Sequence, residues 1–134
     1  MSLKIQFLPP KHGWMTIVLN GDGQEYTESV SHIPENSLTS FCWSLIRLSN
    51  GVQQDECRWF LEPGYSVWMF RRKADDVVLE IERRDESVFG YQLPLKSFLK
   101  KAKNALLKLS KDSCWTEGSP WNGGFPYKDF EKLP

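Results

Sequence analysis

The strongest constraint on the fold is a run of alternating residues between positions 56 and 84, interrupted twice by short turn sequences. In residues 56–62, 65–72 and 76–84, apolar side chains recur at nearly every second position, which is typical of half-buried strands. Pro63-Gly64 separates the first two segments, and Ala74-Asp75 separates the last two; both contain residues common in turns. This pattern predicts an antiparallel meander of three strands.

A register follows if each turn has two residues. Trp59 then lies opposite Trp68, and Phe70 lies opposite Leu79, so that each pair shares a face of the sheet. A slip of one residue would scatter these side chains over both faces. A four-residue loop at Pro63-Gly64 stays open as an alternative, because Pro-Gly is not a favoured two-residue hairpin turn. The predicted core face is apolar throughout: Cys57, Trp59, Leu61, Trp68, Phe70, Val77, Leu79 and Ile81.

The opposite face of the meander mixes apolar and charged side chains. Its apolar share is higher than contact with solvent alone requires, and aromatic, Met and Arg residues are enriched at the centres of protein interfaces. We therefore expect this face to bind a partner. The predicted partner-binding residues are Arg58, Phe60, Tyr65, Met69, Arg71, Glu80 and Glu82. This prediction fails if the aromatic C-terminal residues pack over the same face.

Residues outside the meander predict further strands and two helices. Residues 3–8, 14–19 and 24–33 read as strands, with Asn20-Gly21-Asp22-Gly23 as the turn between the last two. The third strand is polar, and we expect it nearer an edge. Apolar spacing predicts a helix after Asn36 or Ser37, ending at Asn50-Gly51, and a second helix over 95–111. Residues 87–93 are compatible with one more short strand.

The predicted fold class is α+β, with an antiparallel sheet of about six strands and two helices packed on one face. The expected order is β-β-β-α-β-β-β-α, and residues 1–134 are expected to form a single domain. Residues 1–112 supply the sheet and both helices. Residues 113–134 combine glycine, proline and five aromatic side chains. We expect them to form an irregular tail packed on the domain, because so many aromatic side chains are seldom left in water.

Composition excludes several classes of protein. The chain has 17 basic and 17 acidic residues, and the missing basic excess disfavours nucleic-acid binding. No apolar run approaches 18 residues and no signal peptide is recognisable, so we expect a cytoplasmic protein without membrane insertion. The three cysteines, Cys42, Cys57 and Cys114, form no CxxC pair. This spacing argues against a zinc ribbon and a disulfide framework.

No set of residues predicts catalysis. Asp75 and Asp76 fall in a turn, where Asp is favoured for backbone reasons, and Glu80 and Glu82 alternate outward from a strand. His12 and His32 lie beside loops, whereas Cys42 and Cys57 fall on core faces, where thiols are inert. Phosphate-binding and calcium-binding loop patterns are absent. The sequence therefore predicts a protein that is not an enzyme and holds no cofactor or metal.

The second predicted helix carries an apolar face and a lysine face. Solvation explains most of the lysine face, and its later members also suit the negative end of the helix dipole. Of the functional interpretations, attraction of an acidic protein partner fits a neutral protein best. Lys100 and Lys103 are the residues expected to steer association. Contact with nucleic acid through this helix ranks as the third hypothesis.

The run Trp59-Phe60-Leu61-Glu62-Pro63-Gly64, followed by Val67-Trp68 and Val77-Val78-Leu79-Glu80-Ile81, resembles a group of small bacterial proteins. These are associated with the immunity proteins of polymorphic, contact-dependent toxin systems. The resemblance covers roughly residues 13–84. It implies a cytoplasmic protein that binds and blocks a toxin domain without catalysis, and no functional residue carries over.

The leading hypothesis is therefore a protein-binding domain, and the role that the resemblance implies is toxin neutralisation. The alternative is a small ligand-binding or enzymatic domain with a pocket between sheet and helices. A homodimer is also left open by the sequence.

Overall fold

The structure, a computed structural model, describes residues 2–117 and 120–134 and has an α+β fold. The order of elements agrees with the prediction through the second helix, except that the sheet has seven strands instead of about six, because the segment before that helix also pairs with its neighbour. The tail, expected to be irregular, contains a short third helix. The elements are β1 (Lys4–Phe7), β2 (Trp14–Gly21), β3 (Gln24–Ser31), α1 (Ser37–Ser49), β4 (Gln54–Phe60), β5 (Tyr65–Lys73), β6 (Asp76–Arg83), β7 (Glu86–Pro94), α2 (Leu95–Ser110), a 3-10 turn (Ser113–Trp115) and α3 (Tyr127–Phe130). None of the helices in the described part of the chain is long and apolar enough to cross a bilayer.

The strands follow one another in sequence order across the sheet, and every neighbouring pair is antiparallel. β3 and β4 are joined only at Ser31 and Phe60, so β3 is free to diverge from β4. Its other end reaches β7, where the Gln24 side chain donates to the Gly90 carbonyl at 3.0 Å. β3 lies between β2 and β4 in the strand order and not at the outer edge of the sheet, but in the described chain seven of its eight residues pair with β2 alone, so the expected position nearer an edge is partly met.

The register of the meander is confirmed at one turn and shifted by two residues at the other. Trp68 pairs with Ile81, as predicted. Between β4 and β5 the last pair is Phe60 with Tyr65, which leaves a four-residue loop over 61–64. Trp68 therefore lies opposite Cys57, and Trp59 is its diagonal neighbour, with ring centroids 5.5 Å apart. A shift of two residues leaves the side chains within the strands on their predicted faces, whereas Leu61, predicted on the core face, falls in the loop and is partly buried against the core.

The core lies between the sheet and the helices and is rich in aromatic rings. Phe41 of α1 contacts the rings of Trp59, Trp68 and Phe70, with centroids 5.6–6.3 Å apart. Phe98 of α2 meets Phe70 at 5.7 Å. α1 packs on β4, and α2 packs on β1, β6 and β7. These contacts place both helices on the predicted core face and leave the other face of the meander free of them.

The described residues of the C-terminal tail pack on the helix side of the molecule. The Trp121 ring is buried and stacks on His32 at 5.6 Å. Trp43 of α1 donates its indole N–H to Asp129 at 3.0 Å, and the Tyr127 hydroxyl donates to the Ser110 carbonyl of α2 at 3.0 Å. The tail thus extends the layer formed by the helices.

Candidate protein-binding surface

All seven predicted partner-binding residues lie on one face of β4, β5 and β6, which we call the outer meander face. They share it because side chains alternate along each strand and the ladders keep these strands in phase. The helices and the described part of the tail lie on the opposite side of the sheet. The outer meander face comprises Glu56, Arg58, Phe60, Tyr65, Val67, Met69, Arg71, Val78, Glu80 and Glu82.

One end of the outer meander face carries an ordered group of aromatic and cationic side chains. The Arg58 guanidinium lies over the Tyr65 ring, 4.6 Å from its centroid. Phe60 meets the same ring edge-on at 6.3 Å. Tyr65 is nevertheless 42% exposed, so much of the ring stays available to a partner. A cation over an aromatic ring contributes about 0.5–1 kcal/mol at exposed sites, which favours this arrangement before any partner arrives.

The other end of the face is a shallow hollow of about 400 Å³. Met69 and Val78 contribute apolar surface, while Glu56, Arg71 and Glu80 supply charges around them. Met69 lies directly opposite Glu80, and Arg71 lies directly opposite Val78. The hollow therefore offers a small apolar floor with both signs of charge at its rim.

The two arginines of this face form no ion pair with the residues that the structure describes. In residues 2–117 and 120–134 the structure shows one ion pair, between Arg47 and Asp55 at 2.9 Å. Arg58 and Arg71 form none within the described chain, although Glu56, Glu80 and Glu82 share their face. A partner carboxylate could bind either guanidinium without displacing an internal carboxylate.

The predicted steering lysines do not join this surface. Lys100 is exposed on α2, which packs on the core side of the sheet. Lys103, on the same helix, donates to the backbone oxygen of Pro134 at 2.9 Å. Its ammonium group therefore holds the end of the tail, a role that spacing along a helix could not predict.

The candidate catalytic groups lie in unreactive surroundings. Cys42 and Cys57 are buried, as predicted. Burial, followed by the nearby Asp129 charge, raises the pKa of the Cys42 thiol to about 12. Burial raises the pKa of Cys57 well above its ordinary value too. The described residues contain no group of three or more His, Cys, Asp and Glu side chains arranged to hold a metal ion.

Three of the other acid–base candidates, Asp76, Glu80 and His32, form hydrogen bonds. Asp76 accepts a hydrogen bond from Gln92 at 2.9 Å, and Glu80 accepts one from Ser87 at 3.4 Å. His32 accepts from the backbone N–H of Asn122 through Nδ1 at 2.6 Å. His12 is exposed in a turn.

Sequence reasoning missed a polar cluster inside the core. Glu28 of β3 is 2% exposed. Its carboxylate accepts from the Tyr26 hydroxyl at 2.8 Å and from the Trp68 indole N–H at 2.9 Å. Burial raises the pKa of Glu28, although neighbouring donors and the Arg83 charge act in the opposite direction. The alternation Tyr26, Glu28, Val30 was the available signal, since it places the carboxylate on the apolar side of the strand.

No protein-family model, curated protein or solved structure matches this chain. The outer meander face is therefore interpreted from its own chemistry.

Proposed function

We propose that this chain is a non-catalytic protein-binding domain that recognises its partner through the outer meander face. One observation carries the proposal: this face has two arginines without internal ion pairs beside Tyr65 and Met69, and neither the helices nor the described tail cover it. Aromatic, Met and Arg side chains are the types that dominate binding energy at protein interfaces.

The geometry supports recognition by a surface that is ordered before binding. Arg58 and Phe60 already hold the Tyr65 ring, so less side-chain entropy is lost when a partner contacts it. Cross-strand pairing holds Met69 and Arg71 on a rigid sheet instead of a loop. A partner would need an apolar projection for the hollow and charges of both signs around it.

The partner class that follows from the resemblance is a toxin domain, so the proposed role becomes neutralisation by steric blocking. The alternative of a small-molecule pocket between the sheet and the helices is limited to the open groove between β1 and α2, because Phe41, Trp59 and Trp68 fill the space beneath α1. Nucleic-acid contact through α2 also has less support, since Lys103 is engaged by the tail.

The proposal is tested by affinity capture from the native cell with the full chain as bait, followed by binding measurements with the captured partner. Tyr65→Ala and Arg71→Ala are each expected to weaken binding by more than about 1 kcal/mol, or about fivefold, without changing the unfolding transition. Trp14→Ala is a matched control, because Trp14 is also partly exposed, at 38%, but lies on β2. Unchanged affinity in both test variants would contradict the proposal.

A further inference from the structure

The outward edge of β1 has unpaired backbone groups. β1 lies at the edge of the sheet and pairs only with β2. The Leu8 amide donates to Thr16 of β2 at 2.9 Å, in register with the pairs formed by Lys4 and Gln6. Alternate residues of an antiparallel strand point their N–H and C=O groups in opposite directions. The backbone groups of Ile5 and Phe7 therefore point away from β2, towards the open edge.

This edge forms one wall of a groove of about 660 Å³. The strand wall is formed by the consecutive residues 3–9, and the second half of α2 forms the opposite wall with Lys101, Asn104, Ala105, Lys108 and Leu109. The chain's own described residues form no ion pair with Lys101 or Lys108. Lys4 adds a third cation and Asp112 one acid to the lining. The groove thus combines free backbone hydrogen-bonding groups with an excess of positive charge.

We propose that this groove binds an extended acidic segment of a partner protein, which adds to β1 as an eighth strand of the sheet. The backbone of the segment would hydrogen-bond to Ile5 and Phe7, as in other cases of strand addition to a sheet edge. Its carboxylates would meet Lys101 and Lys108, and its apolar residues would pack against Ala105, which is partly exposed. This surface is separate from the outer meander face and does not depend on the function proposed for that face.

Charge decides between an acidic segment and a second copy of this chain. Pairing of two β1 edges across a twofold axis would bring each copy's groove lysines towards Lys4 and the lysine wall of the other copy. Like charges placed opposite each other disfavour such an assembly. Asp112 is the one acidic side chain that lines the groove to offset them. An acidic segment neutralises the same lysines.

The test uses a panel of synthetic seven-residue peptides with alternating valine and threonine, carrying one to three glutamates, and the same panel with lysine in place of glutamate. Binding to the full chain is followed by amide chemical shifts and hydrogen exchange. Glutamate peptides are expected to bind, to slow exchange at Ile5 and Phe7, and to weaken as salt is raised. Lysine peptides are expected not to bind.

Two variants separate the backbone and charge contributions. Ile5→Pro removes the N–H that faces the groove but no hydrogen bond to β2, and it should abolish peptide binding, whereas Ile5→Val should retain it. Lys101→Glu/Lys108→Glu should weaken binding about tenfold or more. Lys96→Glu/Lys128→Glu makes the same change in net charge outside the groove and should have less than about a twofold effect.

Three outcomes would overturn the proposal. The first is that no glutamate peptide binds at millimolar concentration. The second is that both peptide panels bind equally. The third is that exchange at Ile5 and Phe7 slows with protein concentration alone, which would identify a second copy of the chain as the occupant.

Discussion

Glu28 shows how a single polar residue can sit in an aromatic core. A buried carboxylate is costly unless its oxygens are hydrogen-bonded. The Tyr26 hydroxyl and the Trp68 indole N–H each donate to a separate oxygen. This cluster links β3 to β5 at a place where the two strands are not ladder neighbours. We infer that it helps to set the position of β3 over the meander.

Replacement of this carboxylate should change the pH dependence of stability. Because the pKa of Glu28 is raised above its ordinary value of 4.5, the folded state binds more protons than the unfolded state above that pH. Stability is therefore lost as pH rises through the raised pKa. The neutral Glu28→Gln variant keeps an acceptor for Trp68 and should be spared this loss.

Urea unfolding of both proteins between about pH 4 and 8 measures this effect. The stability of the native protein relative to Glu28→Gln is expected to fall with rising pH. Parallel curves for the two proteins would contradict the prediction.

The three thiols should differ in native-state reactivity according to burial. Cys42 and Cys57 are buried and carry raised pKa values, so alkylation requires local opening of the core. Burial, followed by Asp112, raises the pKa of the Cys114 thiol to about 12 as well, but this thiol is partly exposed and should therefore react first. Iodoacetamide labelling followed by mass spectrometry checks this order, with labelling in urea as the reference for full access. Rapid stoichiometric labelling of Cys42 or Cys57 in the native state would contradict it.

At the level of elements, Asn36 joins the start of α1 to the tail. Its Oδ1 accepts from the Leu38 amide at 3.1 Å, as an N-cap does, and from the Trp121 indole N–H at 3.0 Å. Its Nδ2 donates to the Gly124 carbonyl at 2.8 Å. The capping role was predictable from the sequence, whereas the tail contacts were not, because 85 or more residues separate the partners.

Two substitutions at this position separate capping from attachment of the tail. Asn36→Ala should lower the free energy of unfolding by about 1 kcal/mol or more, because both the cap and the tail contacts are lost. Asn36→Asp keeps the acceptor but loses the donor to Gly124, so stability should fall less. Hydrogen exchange in residues 121–126 should become faster in both variants. Exchange unchanged in both would show that Asn36 does not hold the tail.

At the scale of the whole molecule, the net charge is zero, but the charged side chains are distributed unevenly between the two sides of the sheet. The outer meander face carries charges of both signs, whereas α2 on the opposite layer carries lysines. Exposed charges at a distance from an interface act mainly on the rate of association. The described residues of the tail pack on the helix side. They therefore do not cover the outer meander face, which would have contradicted its predicted role in binding.

Charge reversal on α2 should therefore slow association with the partner proposed for the outer meander face. Lys100→Glu is expected to lower the association rate severalfold at low salt, with little effect on dissociation. Lys103→Glu should do the same and also loosen Pro134, because Lys103 holds its backbone oxygen. Stopped-flow measurements at two salt concentrations test this, with Lys100→Gln as the intermediate case. A dominant effect on dissociation would place Lys100 in the interface itself.

The sequence determined the elements and the faces of the meander. Alternation in β4, β5 and β6 assigned core and outer side chains correctly, although the predicted β4–β5 register was two residues off. That assignment survived because the side-chain period of a strand is two. Local signals also placed α1 and α2, since apolar spacing and caps act within a few residues.

Tertiary structure decided what the local pattern could not contain. The full length of β7 depends on pairing with β6, and the place of β3 between β2 and β4 depends on the pair of Ser31 with Phe60. The burial of Glu28 requires donors from two different strands, and the placement of the tail depends on contacts with both α1 and α2. In each case a periodic pattern shows that a face is suited to burial, whereas contacts distant in sequence determine which surface covers it.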